Sequence, residues 1–541
     1  MSVILGMDTG GAYTDSVLFD PVKNCVLEKA KSRTTHHDLI KGIAASVRQL
    51  EMREPVSMVC LSTTLATNSM VEGKGGRVAL LVLGSRLRGE TFPSESTTFM
   101  TATMDIKGRV VNNLESTEVE HALKVVKEAN VDAVAISGFA SVRNPRHELE
   151  MREHALRQLD LPVVCAHELS SALGFYDRTV TAVLNARLIP VIRELIQATN
   201  EVLRQCGIHA PVMIVKGDGS LMQADYAVNR PIETVLSGPA ASISGAVYLA
   251  GLRDGTVMDM GGTTTDIITV RDGAVRILNE GATVGGWKTQ TRAAEIYTYG
   301  IGGDSHIRAE NGRLEIGPER VRPACLMKKL KDFGGDDIIG LTPTDLRCIA
   351  GSFPDGDRQD ALAQCAKVAG ELRQDTEAFF ERADQAVTKK ICSAYLSAGT
   401  DGLNGIPIIG IGAPAHDWMP KAAKELGIEL VVPENAEVAN AVGAAVGQVV
   451  DTYTILIRPS ANRDGFIVHA PDCRREFAEY EEAVTFTESY AASLTHRRMN
   501  DAGCINYDYS AQEQLVEAAD GTFIETKYVV SAAGLPRWRS N

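Results

Sequence analysis

The sequence predicts an α/β fold of two related domains followed by a smaller α+β module. One observation dominates. The segment Met7-Asp8-Thr9-Gly10-Gly11-Ala12-Tyr13-Thr14-Asp15 returns as Met258-Asp259-Met260-Gly261-Gly262-Thr263-Thr264-Thr265-Asp266, with Met, Asp, both glycines, Thr and the closing Asp in register. Two further observations agree with it. Short apolar runs alternate with amphipathic stretches up to about residue 170, the pattern of strands alternating with helices. A chain of 541 residues is also long enough for several domains with deep cores.

Each copy of the repeat reads as strand, glycine turn, strand. Ser2-Val3-Ile4-Leu5 and Thr256-Val257 precede the turns, while Val17-Leu18-Phe19 and Ile267-Ile268-Thr269-Val270 follow them. Such a turn exposes backbone N–H groups that no side chain shields, so it can wrap phosphate oxygens, and an Asp at the strand end can hold Mg²⁺ or its water. Gly-Gly pairs also make ordinary tight turns. Turn chemistry alone, however, does not call for a matched copy roughly one domain away. Two such hairpins suggest two related domains closing on one nucleotide.

The remaining elements follow in order. The first domain, 1–175, is expected to hold a helix near 38–53, strands at 56–61 and 78–83, a helix near 116–129, a strand at 133–137 and a helix near 145–159. Val180, Val183, Leu184, Leu188, Val191, Ile192, Leu195 and Ile196 recur at helical spacing and predict a long helix over about 177–207, expected to bridge the two halves, with Pro190 as a candidate kink. The second domain, 176–450, is expected to continue with a strand at 212–215, the Lys216-Gly217-Asp218-Gly219 turn, a helix starting at Ser237-Gly238-Pro239 and the second hairpin.

An insertion at 306–405 then carries a polar stretch, 332–337, and a helical region, 358–398; it reads as surface elaboration, a lid or a docking surface. A strand at 407–411 leads to a helix over 436–450 rich in Ala and Gly, residues that allow close backbone packing. The last segment, 451–541, reads as a separate α+β module with strands at 452–457 and 465–469 and a helix near 476–500.

The formal charge of −14 argues against broad nucleic-acid or anionic-membrane binding, which leaves small molecules and proteins as partners. There is no basic-then-apolar leader and no uninterrupted apolar stretch of about 18 residues, so a cytoplasmic location without membrane contact is expected. The 10 cysteines include no C-x-x-C pair and read as buried free thiols.

Several segments give the chain a family resemblance. They are Ser62-Thr63-Thr64-Leu65-Ala66-Thr67-Asn68, Arg143-Asn144-Pro145, Leu236-Ser237-Gly238-Pro239-Ala240-Ala241, the Asp259 hairpin, Gly300-Ile301-Gly302-Gly303-Asp304-Ser305 and Gly410-Ile411-Gly412-Ala413-Pro414-Ala415-His416. In this order, over roughly residues 1–450, the sequence resembles the hydantoinase/oxoprolinase family within the actin, sugar kinase and Hsp70 superfamily. The resemblance implies two ribonuclease-H-like, actin-like ATPase domains flanking a nucleotide cleft.

On that resemblance, Asp8 and Asp259 would face each other across the cleft and share Mg²⁺ with ATP, although either could instead cap its own hairpin. Gly10, Gly11, Ala12, Gly261, Gly262 and Thr263 would supply N–H groups to phosphate. The hydroxyls of Thr14, Thr263, Thr264 and Thr265 would add donors or serve the strands, since Thr14 and Thr265 are also good strand residues. Gly300, Gly302 and Gly303 look like the approach to a helix near Asp304 or Ser305. Asp304 stands where related chains usually carry a third glycine, so it would bind Mg²⁺, contact ribose or point away. Gly410, Gly412 and Ala413 resemble the turn that lies against adenine.

Thr63, Thr64 and Asn68 would act on the substrate side, with helix capping by Ser62 or Thr63 as the plainer role. His306 and His416 adjoin glycine motifs, as acid or base groups or as structural hydrogen-bonding residues. The activity implied is ATP- and Mg²⁺-dependent phosphorylation of the carbonyl oxygen of a cyclic amide such as 5-oxoproline or a hydantoin, which enables ring opening, with a hydantoinase B-type partner subunit. Ketone carboxylase subunits share these motifs and give an alternative; an ATP-binding switch or assembly factor gives another. A homo-oligomer is left open.

Overall fold

A computed structural model describes residues 2–10, 13–34, 39–84, 90–278, 281–330, 338–399, 405–460 and 464–538. The chain divides into two compact units, the first made of 1–240, 277–293 and 447–541, the second of 241–276 and 294–446.

The first unit is built on the expected hairpin. Val3–Thr9 pairs antiparallel with Tyr13–Asp20 and parallel with Val56–Thr63. The sheet then continues antiparallel to Cys25–Arg33 on one side and parallel to Val212–Val215 on the other. Its central strand is buried at every position, so residues 3–7 show no polar alternation before Asp8 and Thr9 end the strand. The second unit repeats the arrangement. Gly255–Met260 pairs antiparallel with Thr265–Arg271 and parallel with Ile408–Ile411; Ala274–Val275 and Leu430–Val431 extend the two sides. The same strand order and directions therefore occur in both units, as the repeat requires.

The long helix is Phe175–Gln205, with Pro190 inside it. It does not bridge the two halves as expected; it is sandwiched between two sheets of the first unit. Val180, Leu184, Leu188, Ile192 and Leu195 enter the core of the main sheet. Phe175, Ala182, Val183, Ala186 and Ile189 enter the core beneath the parallel sheet formed by Val163–Cys165, Ala133–Gly138, Val78–Leu83 and Ser96–Met100. A helix apolar on two faces is what a buried position demands.

The compact units also differ from the expected boundaries. Residues 176–240 lie with the first unit, and so does the C-terminal segment. The latter is not separate, because Val449–Pro459 joins the first sheet where Val449 pairs with Leu221. Phe466–Ala470 and Cys473–Phe477 extend the sheet from one edge of that strand, while Phe523–Gly534 and Asp508–Glu517 lie on the other. The helix Tyr480–Asp501 packs against them.

Other expectations hold or shift locally. Val78–Leu83 and Val212–Val215 form strands with the expected bounds, and Arg358–Glu371 and Thr376–Ser397 fill the expected helical region. The polar stretch 332–337 lies outside the described residues. The helix expected over 436–450 is shorter: a turn at Ala436–Val438 and then Ala439–Val446, before the chain enters a strand. Its small residues do allow close packing, since a Cβ on Gly443 would overlap the Ala241 carbonyl and one on Gly245 the Ala439 carbonyl. Among the described residues no helix is long and apolar enough to cross a membrane. The cysteines are free, most of them buried.

Candidate functional site

The two hairpins close in the same way. The Gly10 N–H donates to the Tyr13 carbonyl at 3.0 Å, and the Gly261 N–H donates to the Thr264 carbonyl at 2.9 Å. Beyond each turn the two aspartates of a copy face one another across the strand pair, Asp8 opposite Asp15 and Asp259 opposite Asp266. Gly11 and Ala12 lie outside the described residues.

In the first unit Asp8 is 4% exposed and accepts a hydrogen bond from the Ser62 hydroxyl. Ser62 is opposite Asp8 in the parallel register, which explains the contact. The N-cap of Leu65–Val71 is Thr64, without a side-chain cap hydrogen bond, so neither Ser62 nor Thr63 caps it; Thr63 Oγ1 accepts from the Leu65 N–H at 3.1 Å, and Ser237 Oγ donates to the Thr63 carbonyl at 2.8 Å. Thr64 and Asn68 lie one turn apart at the start of Leu65–Val71, with Asn68 Nδ2 donating to Thr64 Oγ1 at 3.3 Å.

The start of the helix Ser237–Ala250 reaches the same place. A Cβ on Gly238 would sit 3.3 Å from Thr64 Cγ2 and 3.8 Å from Asp8 Oδ1. Just before it, Leu236 holds a φ of 63°, a conformation rarely adopted by a branched residue, and its N–H donates to Thr67 Oγ1 at 2.9 Å. Asp8, Ser62, Thr64 and Gly238 thus form one cluster. Thr14 is not part of it; its buried hydroxyl bonds Thr34 Oγ1 at 3.2 Å.

In the second unit Thr263 is exposed at the hairpin tip, whereas the Thr265 hydroxyl is buried and donates to the Ile301 carbonyl at 2.6 Å. Thr264 is half-buried beside them. Gly302, Gly303 and Asp304 lie against the hairpin: Gly303 N–H donates to the Gly261 carbonyl at 2.9 Å and Asp304 N–H to the Gly262 carbonyl at 2.6 Å. Gly302 N–H donates to Ser305 Oγ at 2.9 Å.

These amides buttress the turn, and no helix begins there. Ser305–Glu310 is a strand, paired with Arg313–Arg320 through a tight turn in which Asn311 and Gly312 have φ of 51° and 73°. Asp304 points at Arg320, whose Nη2 lies 3.2 Å from Asp304 Oδ2, so its charge is compensated by a side chain. Gly410 is buried in the strand Ile408–Ile411, opposite Met258. Gly412, at φ 92°, lies so close that a Cβ would overlap the Met260 carbonyl and stand 3.0 Å from Asp259 Oδ1; Ala413 is exposed beside it. His416 is exposed. Burial and Arg308 lower the His306 pKa, which favours its neutral form.

Two partners escape sequence reading. Asp15 is paired with Lys31 across the next strand, 2.7 Å from Nζ to Oδ1. Asp266 has the Thr298 hydroxyl, donating at 2.7 Å, in the corresponding place. Burial, and then the charge of Asp259, push Asp266 up to about 7. The closing Asp of each repeat was visible in the sequence; its neighbour across the sheet depends on register and was not. Hard carboxylate oxygens, one pair of them crowded by its own charge, form a donor set that fits Mg²⁺.

Two copies of one sheet order, each with a glycine turn and an aspartate at the strand end, define a duplicated α/β fold of the actin-like ATPase class. The chain matches the hydantoinase/oxoprolinase family over residues 178–453 and that family's N-terminal region over 4–159, and belongs to this family. It is 27% identical over 487 residues to caprolactamase subunit alpha of Pseudomonas jessenii, covering 79% of this chain and 68% of that one. It is 27% identical over 401 residues to acetophenone carboxylase gamma subunit of Aromatoleum aromaticum, covering 64% and 53%.

Similarity to 5-oxoprolinase 1 of Arabidopsis thaliana is 25% over 343 residues, covering 55% of this chain and 26% of that one. The chain therefore spans between about a quarter and two thirds of these relatives. The fold is that of the solved ATP-dependent caprolactamase from Pseudomonas jessenii, with TM-score 0.72, 20% identity and coverage of 98% and 87%. It is likewise that of nucleotide-free acetone carboxylase, with TM-score 0.70, 16% identity and coverage of 100% and 89%.

Proposed function

We propose that this chain is an ATP- and Mg²⁺-dependent enzyme, or enzyme subunit, that phosphorylates the carbonyl oxygen of a cyclic amide and so prepares the ring for opening by water. The observation that carries the reading is the pair of hairpins with one register and one aspartate arrangement, in a chain whose relatives include a caprolactamase subunit and a 5-oxoprolinase. Asp8 and Asp259 are assigned to Mg²⁺. Bound there, the metal would neutralise triphosphate charge that backbone dipoles alone do not offset.

Gly10, Gly261, Gly262 and Thr263 are assigned to the phosphates, with Gly302, Gly303 and Asp304 supporting the second turn and Gly412 and Ala413 beside it. Thr63, Thr64 and Asn68 are assigned to the substrate side. Thr64 and Asn68 offer a hydroxyl and an amide to a polar ring, while Thr63 holds the helix start. A second subunit that opens the activated ring is part of the reading, because the carboxylase and caprolactamase relatives are themselves named as subunits.

ADP release by the purified chain with MgATP, measured against lactams, hydantoins and 5-oxoproline, tests this reading. Stimulation by one cyclic amide is expected; no stimulation by any, with or without a coexpressed partner, counts against it. A ketone carboxylase subunit is the second reading, favoured by the equal identity to acetophenone carboxylase gamma subunit. Bicarbonate-dependent ADP release with a ketone would select it.

A further inference from the structure

A cavity of about 820 Å³ lies within the first unit, lined by residues of the loop that follows strand Ala133–Gly138 and of the C-terminal strands. Arg143 enters it from that loop, Arg458 from Val449–Pro459 and Arg474 from Cys473–Phe477. This loop and the C-terminal strands are fastened here by His469, whose Nδ1 is 2.9 Å from the Arg143 carbonyl oxygen. The Arg143-Asn144-Pro145 segment, prominent in the sequence and unused by the hairpins, thus has a place in the fold.

The charges are incompletely matched. Arg458 pairs with Glu525, and Arg474 Nη2 donates to Glu476 Oε1 at 2.7 Å. Yet the Nε–H groups of both arginines are buried with no hydrogen-bond partner among the described residues. Arg143 is half-buried, and among the described residues its guanidinium makes no ion pair or hydrogen bond. Its pKa is lowered by burial and then by the charge of Arg458, partly offset by Glu525 and Asp105. His469 is pushed down to about 4 by burial, and Arg474, Arg458 and Arg143 act in the same direction.

Orphaned buried donors and adjacent like charges each cost stability, and a bound oxyanion relieves both. Guanidinium forks match the two oxygens of a carboxylate or phosphate. The volume exceeds what an inorganic ion fills, and Ile467 and Phe523 give part of the wall an apolar character. Asp464 and Asp520 also line it, which disfavours ligands of high negative charge.

We propose that this cavity is a binding site, separate from the hairpins, for a small organic dianion that carries a carboxylate or phosphate group, held by Arg143, Arg458 and Arg474. Calorimetric titration of the full chain with glutarate and with glycerol phosphate separates the two chemistries, and titration with MgATP runs beside them. Saturable binding of at least one dianion is expected, weakened roughly tenfold or more by Arg143→Gln while MgATP binding is retained.

Arg143→Gln breaks no side-chain hydrogen bond or ion pair among the described residues, so folding should survive; Arg474→Gln provides a second, independent variant with the same expected loss. In the wild type, the His469 ring signal followed by NMR should show its pKa rising when the dianion binds, since a nearby negative charge favours imidazolium. Binding of neither dianion by the folded wild type, or equally tight binding by both arginine variants, overturns the proposal.

Discussion

In the first hairpin Asp15 stands opposite Lys31 and Asp8 opposite Ser62, so a cation serves one carboxylate and a hydroxyl the other. In the second, Thr298 stands where Lys31 does, and Ile411 stands where Ser62 does. The strand Ala274–Val275 is too short to reach Asp266, and Tyr297–Tyr299 takes that edge instead. One motif in one register has therefore come to rest in two electrostatic states. The first hairpin carries its own compensation. The second keeps two facing carboxylates, one of them titrating near neutrality, and this is an arrangement that gains from a divalent cation.

The largest expected effect falls on activity. Asp259→Asn and Asp8→Asn should each lower substrate-stimulated ADP release about a hundredfold or more, since each removes a charge assigned to the metal. The asymmetry predicts that Asp259→Asn also weakens the Mg²⁺ dependence more than Asp8→Asn does, because Ser62 can still orient the amide in the latter. Near-normal turnover in both folded variants would remove the metal assignment from the hairpins.

The next effect is on stability. Gly412→Ala forces a side chain onto the Met260 carbonyl at a positive φ and should destabilise the second unit by about 2–4 kcal/mol in chemical denaturation. Ser62→Ala, on the strand beside Asp8 in the first unit, deletes one buried hydrogen bond and should cost about 1–2 kcal/mol. A reversed order would mean that the close approach at Gly412 relaxes freely.

How far these features could be read in advance depends on the range of the interactions involved. The hairpins were legible because Asp and Gly at fixed offsets encode a local turn. The Asn311-Gly312 turn was equally local, yet the glycines at 300–303 drew the reading towards a helix that the strand Ser305–Glu310 replaces. Lys31 and Thr298 were not legible, since only strand register brings them to Asp15 and Asp266. The joining of the C-terminal strands to the first sheet rests on the pairing of Leu221 with Val449, residues too far apart in the chain for any local pattern to reveal. The period of the long helix is legible, but its second buried face is not, and that face is what makes it a layer between two sheets rather than a bridge between halves.

A smaller effect should appear in the pH dependence of stability. Asp266 titrates at about 7 in the folded chain against an ordinary value of 3.8. Its folded pKa is raised, so its contribution to stability is complete below about pH 4 and is lost as the pH rises through 7. In metal-free buffer the protein should therefore lose about 1–3 kcal/mol between pH 5 and pH 8 from this group. Asp266→Asn should flatten that part of the profile, whereas Asp15→Asn, in a pair already matched by Lys31, should leave it in place.

The second hairpin can be given the lysine of the first. Directly opposed side chains on neighbouring strands are close enough for a lysine to reach a carboxylate, as Lys31 reaches Asp15 at 2.7 Å. Thr298→Lys should place its ammonium beside Asp266, bring the aspartate back towards an ordinary carboxylate pKa and remove the loss of stability near neutral pH. If the costly charge of Asp266 is what draws Mg²⁺ to this hairpin, the same change should raise the MgATP concentration needed for half-maximal ADP release by roughly tenfold, with a smaller effect on the maximal rate. An unchanged MgATP requirement, alongside a corrected pH profile, would separate the two properties. The titration of Asp266 would then be a consequence of strand pairing alone, and metal recruitment would rest on Asp259 and the turn amides.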